Sequence, residues 1–309
     1  MYPLKMKPFF KDYLWGGTRL KDEYNKDTAL SIVAESWEVS CHPDGYSEVC
    51  NGALSGQTLD SVLRCNPGWV GDSCVGLTEF PILIKLIDAR DSLSLQVHPD
   101  DEYARAVEGQ AGKNEMWYIA EARPGAELIL GFKEPLNKED MRRVMAKNEL
   151  LSYVRSVPVN AGDCYLVPAG LLHAIGKGII IVEVQQTSNV TYRVHDYDRR
   201  DQYGNSRELH TEKAVDVIDT SLRAEVSSGR VLADWRYFKC DMLSVDGESQ
   251  GFCGNGSFLC SVIVDGAVSL AWGGGTLELI KGDSVFVPAG LGPYKLNGSA
   301  KVMMVNCDS

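Results

Sequence analysis

The stretch Ala161-Gly162-Asp163-Cys164-Tyr165-Leu166-Val167-Pro168-Ala169-Gly170-Leu171 returns 120 residues later as Lys281-Gly282-Asp283-Ser284-Val285-Phe286-Val287-Pro288-Ala289-Gly290-Leu291, with seven of the eleven positions identical. A period this long marks two copies of a domain and not a solenoid. Each copy reads alike: Gly-Asp turns the chain, a short strand follows, and Pro-Ala-Gly-Leu turns it again into the next strand. Two small antiparallel barrels in tandem are the expected architecture. Runs rich in β-branched residues and bounded by Gly, Pro, Asn or Asp predict strands at 81–87, 127–130, 178–184 and 256–264. One segment breaks the pattern. Residues 137–154 predict a helix, with Leu136, Met141, Val144, Met145, Leu150 and Leu151 at helical spacing and Asn137 as its N-cap. Shorter helices are expected over 100–107 and 209–219.

Working outward from the first copy, Gly162-x5-Pro168-x-Gly170-x2-His173 resembles the second cupin motif without a gap, and the histidine of that motif binds a metal. The aligned position in the second copy is Pro293, which offers no donor atom. Copy one is therefore expected to keep a site that copy two has lost. The first cupin motif supplies two histidines one residue apart on a strand, followed by a glutamate. Alternate residues of a strand share a face, so 92–99 places Gln96 and His98 together, with Leu95 and Val97 opposite. Gln96 stands where the first histidine would be. Its amide oxygen is a harder donor than imidazole, which moves the site away from copper and leaves zinc or another divalent ion. Glu115 opens the next strand, and His173 closes a set that leaves a position for water or a substrate oxygen. His98 and Glu115 are separated by Pro99 to Asn114, an insertion expected to form a helical flap over the barrel mouth. His42 and His210 read as surface or structural residues, and His195 stays open.

The fold class expected is mainly β: tandem cupin (jelly-roll) barrels with a helical insertion at about 136–154. The domains are 1–220, carrying the metal, and 221–309, a degenerate cupin domain without metal ligands. A formal charge of −11 argues against nucleic acid as a partner, which needs a basic face. An acidic chain that binds an anionic small molecule must gather Lys or Arg locally. No membrane span, signal peptide or protein partner is implied, and the nine cysteines, odd in number and without a C-x-x-C pair, read as mostly buried thiols of a cytoplasmic protein.

The inserted segment, Gln96-x-His98-Pro99 and a lysine two residues before Glu115 together resemble type I mannose-6-phosphate isomerases in their short bacterial form. The matching stretches are Leu14-Trp15-Gly16-Gly17, Ala34-Glu35-Ser36-Trp37-Glu38, 81–87, 92–100, Gly112-Lys113-Asn114-Glu115-Met116-Trp117-Tyr118, and 192–199. Trp-Gly-Gly alone is weak, whereas the ordered set is specific. The resemblance implies an isomerase that uses one zinc per chain to interconvert the phosphosugars mannose 6-phosphate and fructose 6-phosphate. It implies zinc ligands Gln96, His98, Glu115 and His173, catalytic Arg193 and Lys113, and substrate-binding Lys85, with Ser94 lining the same cavity. Longer members carry Asp-Asn ahead of the arginine; here Asn189 cannot accept a proton.

The chemistry suits these residues. Isomerisation through an enediol requires an electrophile for the carbonyl oxygen, a proton carrier and charge for the phosphate. Arg193 stays protonated and so serves to fix an anion, unless it is a surface partner of Asp196 or Asp198. Lys113, if not a solvated turn lysine, and Glu183 are the two candidate proton carriers. A charge at Lys85 within an apolar strand requires a wet cavity, and the basic residues are assigned to the phosphate. The rivals are a cupin oxygenase with iron, a non-enzymatic sugar-binding bicupin, and an isomerase of another sugar.

Overall fold

In the computed structural model, which describes residues 1–201 and 203–308, the repeat is visible in the backbone. The strands Cys164–Val167 and Ser284–Val287 occupy matching positions. The glycines that open the turns before them have positive φ, 98° at Gly162 and 91° at Gly282. So do those that close the turns after them, 87° at Gly170 and 80° at Gly290. Glycine enters this left-handed region without a Cβ penalty, which is why the motif keeps it.

Three sheets carry the fold. The first has the spatial order Glu225–Ser227, Cys164–Val167, Glu115–Ala122, Ile179–Gln186, Ile82–Ala89, Glu35–Val39, Phe9–Lys11. The second runs Tyr192–His195, Leu95–Val97, His173–Ile175, Glu127–Phe132, Val154–Pro158. Their inner faces share one core, with Trp117, Ile119 and Ile181 from the first meeting Leu128, Leu130 and Ile175 from the second. The third sheet contains Lys239–Cys253, Gly292–Asn306, Leu259–Trp272 and Ser284–Val287, together with Leu4–Lys7 from the opposite end of the chain.

Alternation along each strand decides what lies behind the first sheet. Met116, Tyr118, Val182 and Val184 point away from Trp117 and Ile181 and pack against Phe258 and against Phe286, Met303 and Val305 of the third sheet. Both faces of these strands are therefore buried, the front one apart from the cavity described below, which explains long apolar runs with little polar alternation. The outer face of the second sheet is covered by the helices Lys138–Ala146 and Thr211–Val217 through Met141, Val144, Ala214 and Val215.

The helical insertion is shorter than 137–154. Asn137 caps it, accepting from the Asp140 N–H at 2.8 Å, but the helix ends at Ala146. Asn148 then takes φ 56°, a conformation asparagine tolerates and a helix cannot contain, and Val154 begins a strand. The helix Asp101–Val107 forms with Asp100 as its cap. It does not act as a flap over the cavity described below. Tyr103 instead lies beside Tyr192, ring centroids 6.1 Å apart, and hydrogen-bonds Asp216 at 3.3 Å. Five of the nine cysteines are buried, Cys50 and Cys65 are exposed, and all are free thiols.

Candidate metal centre

Cross-strand register brings the site together. His173 pairs with Gln96, and Gln96 with Arg193, across the second sheet. Across the first, Trp37, Lys85, Glu183 and Trp117 stand opposite one another in one row, with Glu115 opposite Gln185. Side chains directly opposite share a face, so both sets point into the space between the sheets. Asn114 anchors the start of the Glu115 strand: its amide donates to Gln186 Oε1 at 2.7 Å and accepts from the Ala169 N–H at 2.9 Å.

His98, Glu115 and His173 are buried with their donor atoms within 4.8 Å of one another. His98 Nε2 lies 3.0 Å from Glu115 Oε1 and 3.1 Å from His173 Nε2. The tautomers follow from the other ring nitrogens. His98 Nδ1 donates to the Val190 carbonyl at 2.7 Å and His173 Nδ1 to the Leu171 carbonyl at 2.9 Å, so both Nε2 lone pairs face inward. Burial lowers the pKa of both rings, that of His173 to about 3 with the help of its neighbour His98, which keeps the imidazoles neutral. Burial alone would raise the Glu115 pKa, but the Lys113 charge beside it holds it well below the usual carboxylate range.

Such a group is unfavourable by itself. Two lone pairs face each other without a proton between them, and Glu115 Oε2 is buried with no hydrogen-bond partner. A divalent cation removes both penalties, and two imidazoles with a carboxylate suit zinc. Gln96 Nε2 lies 3.5 Å from His173 Nε2. Half a turn of the amide brings its oxygen to that place and its nitrogen toward the Ser94 hydroxyl, which lies 3.4 Å from Oε1. The residues present thus fit a metal.

A cavity of about 270 Å³ opens beside this group. Lys113, Lys85, Glu183, Glu35 and Gln96 line it, together with Tyr13, Trp15, Arg193, Arg207 and His210. Lys113 is buried, contacts Glu115, and lies 3.2 Å from His98 Nε2, so it is no solvated turn lysine. Lys85 is buried 3.3 Å from Glu183 and 3.6 Å from Glu35, and these carboxylates raise its pKa against the desolvation that lowers it. Burial first, and Glu115 second, raise the pKa of Glu183. Trp117 Nε1 donates to Glu183 Oε2 at 3.1 Å, while Oε1 is buried without a hydrogen-bond partner. Arg193 makes no ion pair with Asp196 or Asp198; Arg207 takes Asp196 instead.

Sequence reasoning missed Glu35, Tyr13, Arg207 and His210. His210 has the structural part expected of it, its Nδ1 accepting from the Arg193 N–H at 3.3 Å, and it lines the cavity as well. His42 is buried, its ring 5.9 Å from Trp37. His195 is buried too, against Asn148. Only Glu35 carried a signal, an acidic residue beside Trp37 on a strand buried throughout. Asn189 also lines the cavity, donating to Asp44 Oδ2 at 2.7 Å.

The model of the phosphomannose isomerase type I catalytic domain matches residues 3–129, and that of the mannose-6-phosphate isomerase cupin domain matches 231–307. A probable mannose-6-phosphate isomerase of Bacillus subtilis is 36% identical over 98% of both chains. A mannose-6-phosphate isomerase of Streptococcus mutans is 43% identical over 70% of this chain and 67% of its own. The crystal structure of a Bacillus subtilis mannose 6-phosphate isomerase superposes with a TM-score of 0.93 at 32% identity, covering 99% of each chain. A zinc-bound mannose 6-phosphate isomerase shares the fold at 16% identity, with a TM-score of 0.80 over 99% of each chain. With sequence and fold shared along nearly its whole length, this chain belongs to the type I mannose-6-phosphate isomerase family.

Proposed function

We propose that this protein interconverts D-mannose 6-phosphate and D-fructose 6-phosphate through an enediol, with one zinc per chain held by Gln96, His98, Glu115 and His173. The observation that carries the reading is the buried, neutral pair of imidazoles converging with an ionised carboxylate beside a cavity lined by further ionisable groups. Zinc bound there would supply Lewis-acid polarisation of the substrate carbonyl. The protein's own side chains do the rest. Glu183, dry and with a raised pKa, is matched to taking the C2 proton and returning it to C1. Lys113, on the same side of the cavity, donates hydrogen bonds to the sugar oxygens as charge develops on them. Lys85 keeps Glu183 oriented and binds substrate hydroxyls. Arg193 fixes an anion at the cavity wall.

The partner is a phosphosugar; a chain of net charge −11 suits neither nucleic acid nor an anionic membrane surface. No helix among the described residues is long and apolar enough to cross a membrane. The cytoplasm, whose reducing conditions suit nine free thiols, is the compartment we assign. Two units are proposed, 1–220 with the metal and 221–309 without ligands. Strand exchange ties them: Leu4–Lys7 joins the sheet of the second unit and Glu225–Ser227 that of the first. Replacing fructose 6-phosphate by fructose should remove most turnover, since remote binding energy is used in catalysis. Equal turnover of both would point to an isomerase of free sugars.

A further inference from the structure

The cavity is divided by charge, and the division does not follow the assignment of phosphate to every basic residue. At the buried end Lys85 lies among Glu35 and Glu183, and Lys113 among Glu115 and Glu183. Cations balanced in this way offer little to a dianion, and the three carboxylates repel it. Around Arg193 the balance reverses. Arg193 has no carboxylate partner; its Nε donates to Ser94 Oγ at 3.2 Å and its Nη1 to the Glu208 carbonyl at 3.1 Å. Arg207 lines the same cavity, its Nε and Nη2 donating to the two oxygens of Asp196 at 2.8 and 2.6 Å. Asp196 also faces Arg199 at 3.9 Å, so one carboxylate serves two guanidiniums and none serves the third. The Arg207 charge is felt at Arg193, where burial first and that charge second lower the pKa. Like charges gathered in an otherwise acidic chain are relieved by an anion.

We propose that Arg207, held in place by Asp196, is the residue that grips the phosphate of the substrate beside Arg193 and so selects phosphorylated sugars; the inference rests on the isomerase reading and extends it. The C6 phosphate lies at the far end of a hexose from C1 and C2, so the group that binds it must stand apart from the proton carriers. Arg207 does, with its side chain 30% exposed where those of Lys113 and Glu183 are 4% exposed. The fork with Asp196 occupies one edge of the guanidinium and leaves Nη1 for a ligand. His210 adds a donor: with Nδ1 accepting from the Arg193 N–H, its proton sits on Nε2, 3.9 Å from the largely exposed Glu208 carboxylate.

The test compares wild-type protein with Arg207→Ala, and with Arg207→Gln, which can still hydrogen-bond Asp196 if the alanine variant fails to fold. Zinc content and thermal midpoint are recorded for each. Both KM for mannose 6-phosphate and the inhibition constant of inorganic phosphate should rise together, by about ten- to a hundred-fold, the loss expected for a hydrogen bond to a charged group. Asp196→Asn, which loosens the fork and keeps both arginines, should raise both constants by a smaller factor. A merely structural role would lower the thermal midpoint without moving the phosphate constant. Folded variants of Arg207 whose two constants stay at wild-type values overturn the proposal, and if wild type turns over mannose 6-phosphate the isomerase reading survives that result. Wild type that binds inorganic phosphate through Arg207 yet does not isomerise mannose 6-phosphate overturns the isomerase reading and keeps the grip.

Discussion

Glu183 and Arg193 test the chemistry residue by residue, because neither belongs to the group that would hold the metal. A proton carrier works ionised, and burial raises the pKa of Glu183, so its protonated form persists to higher pH than an ordinary glutamate. As pH falls through that raised value kcat/KM should fall, giving an acid limb above the usual glutamate pKa of about 4.3. Glu183→Gln should lower turnover by roughly 10²–10⁴, the range for loss of a general acid or base. An acid limb at the ordinary value, or a fully active glutamine variant, assigns the proton elsewhere. Arg193→Ala should lower kcat by about 10²-fold, with zinc near one per chain by atomic emission; loss of zinc would make the arginine structural. His98, Glu115 and His173 could be grouped as candidates because they fall at the histidine and glutamate positions of the two cupin motifs, and the structure brings them within 4.8 Å of one another. Arg207 and His210 could not. They lie in a loop and at its end, and reach the cavity by turns that no periodicity records.

At the level of elements the two repeats differ where His173 in the first corresponds to Pro293 in the second. His173 begins a three-residue strand facing Gln96, whereas the second copy runs from Gly292 to Asn306 as a long strand with Pro293 opposite Phe252. Pro293 is exposed, on the opposite face of its strand from Tyr294 and Leu296, which fill the interior with Val285 and Val302. A single donor placed there finds no partners, so Pro293→His should leave zinc at one per chain. A second equivalent of tightly bound zinc in that variant would show that the degenerate copy retained hidden ligands. The repeat, its turns and the strands were readable from glycine, proline and β-branched residues. The helix over 137–154 was overextended because Leu150 and Leu151 continue its apolar spacing, although the left-handed Asn148 had already ended it. The insertion after His98 was correctly read as helical, but its docking site depends on Asp216 and Tyr192, far along the chain, and no local pattern announces that.

At the scale of the whole molecule, the two repeats act as one body. The back of the first sheet and the third sheet share a core, and Lys26, Glu38 and Ser284 form a buried polar bridge between them, at 2.6 Å from Lys26 to Glu38 and 2.8 Å from Ser284 to Glu38. This packing fixes the strands that carry Glu115, Glu183 and Lys85 from behind, while the second sheet brings Gln96, His173 and Arg193 from the front. If metal held between these sheets makes the chain a mannose 6-phosphate isomerase, turnover must follow metal occupancy. The measurement that tests it most directly is a coupled assay of mannose 6-phosphate turnover on protein of known metal content, before chelation, after it, and after zinc is returned. Activity should vanish with the metal and recover in proportion to zinc, reaching its full value near one per chain. Full turnover in metal-free protein, or none in the zinc-loaded protein, would contradict the account.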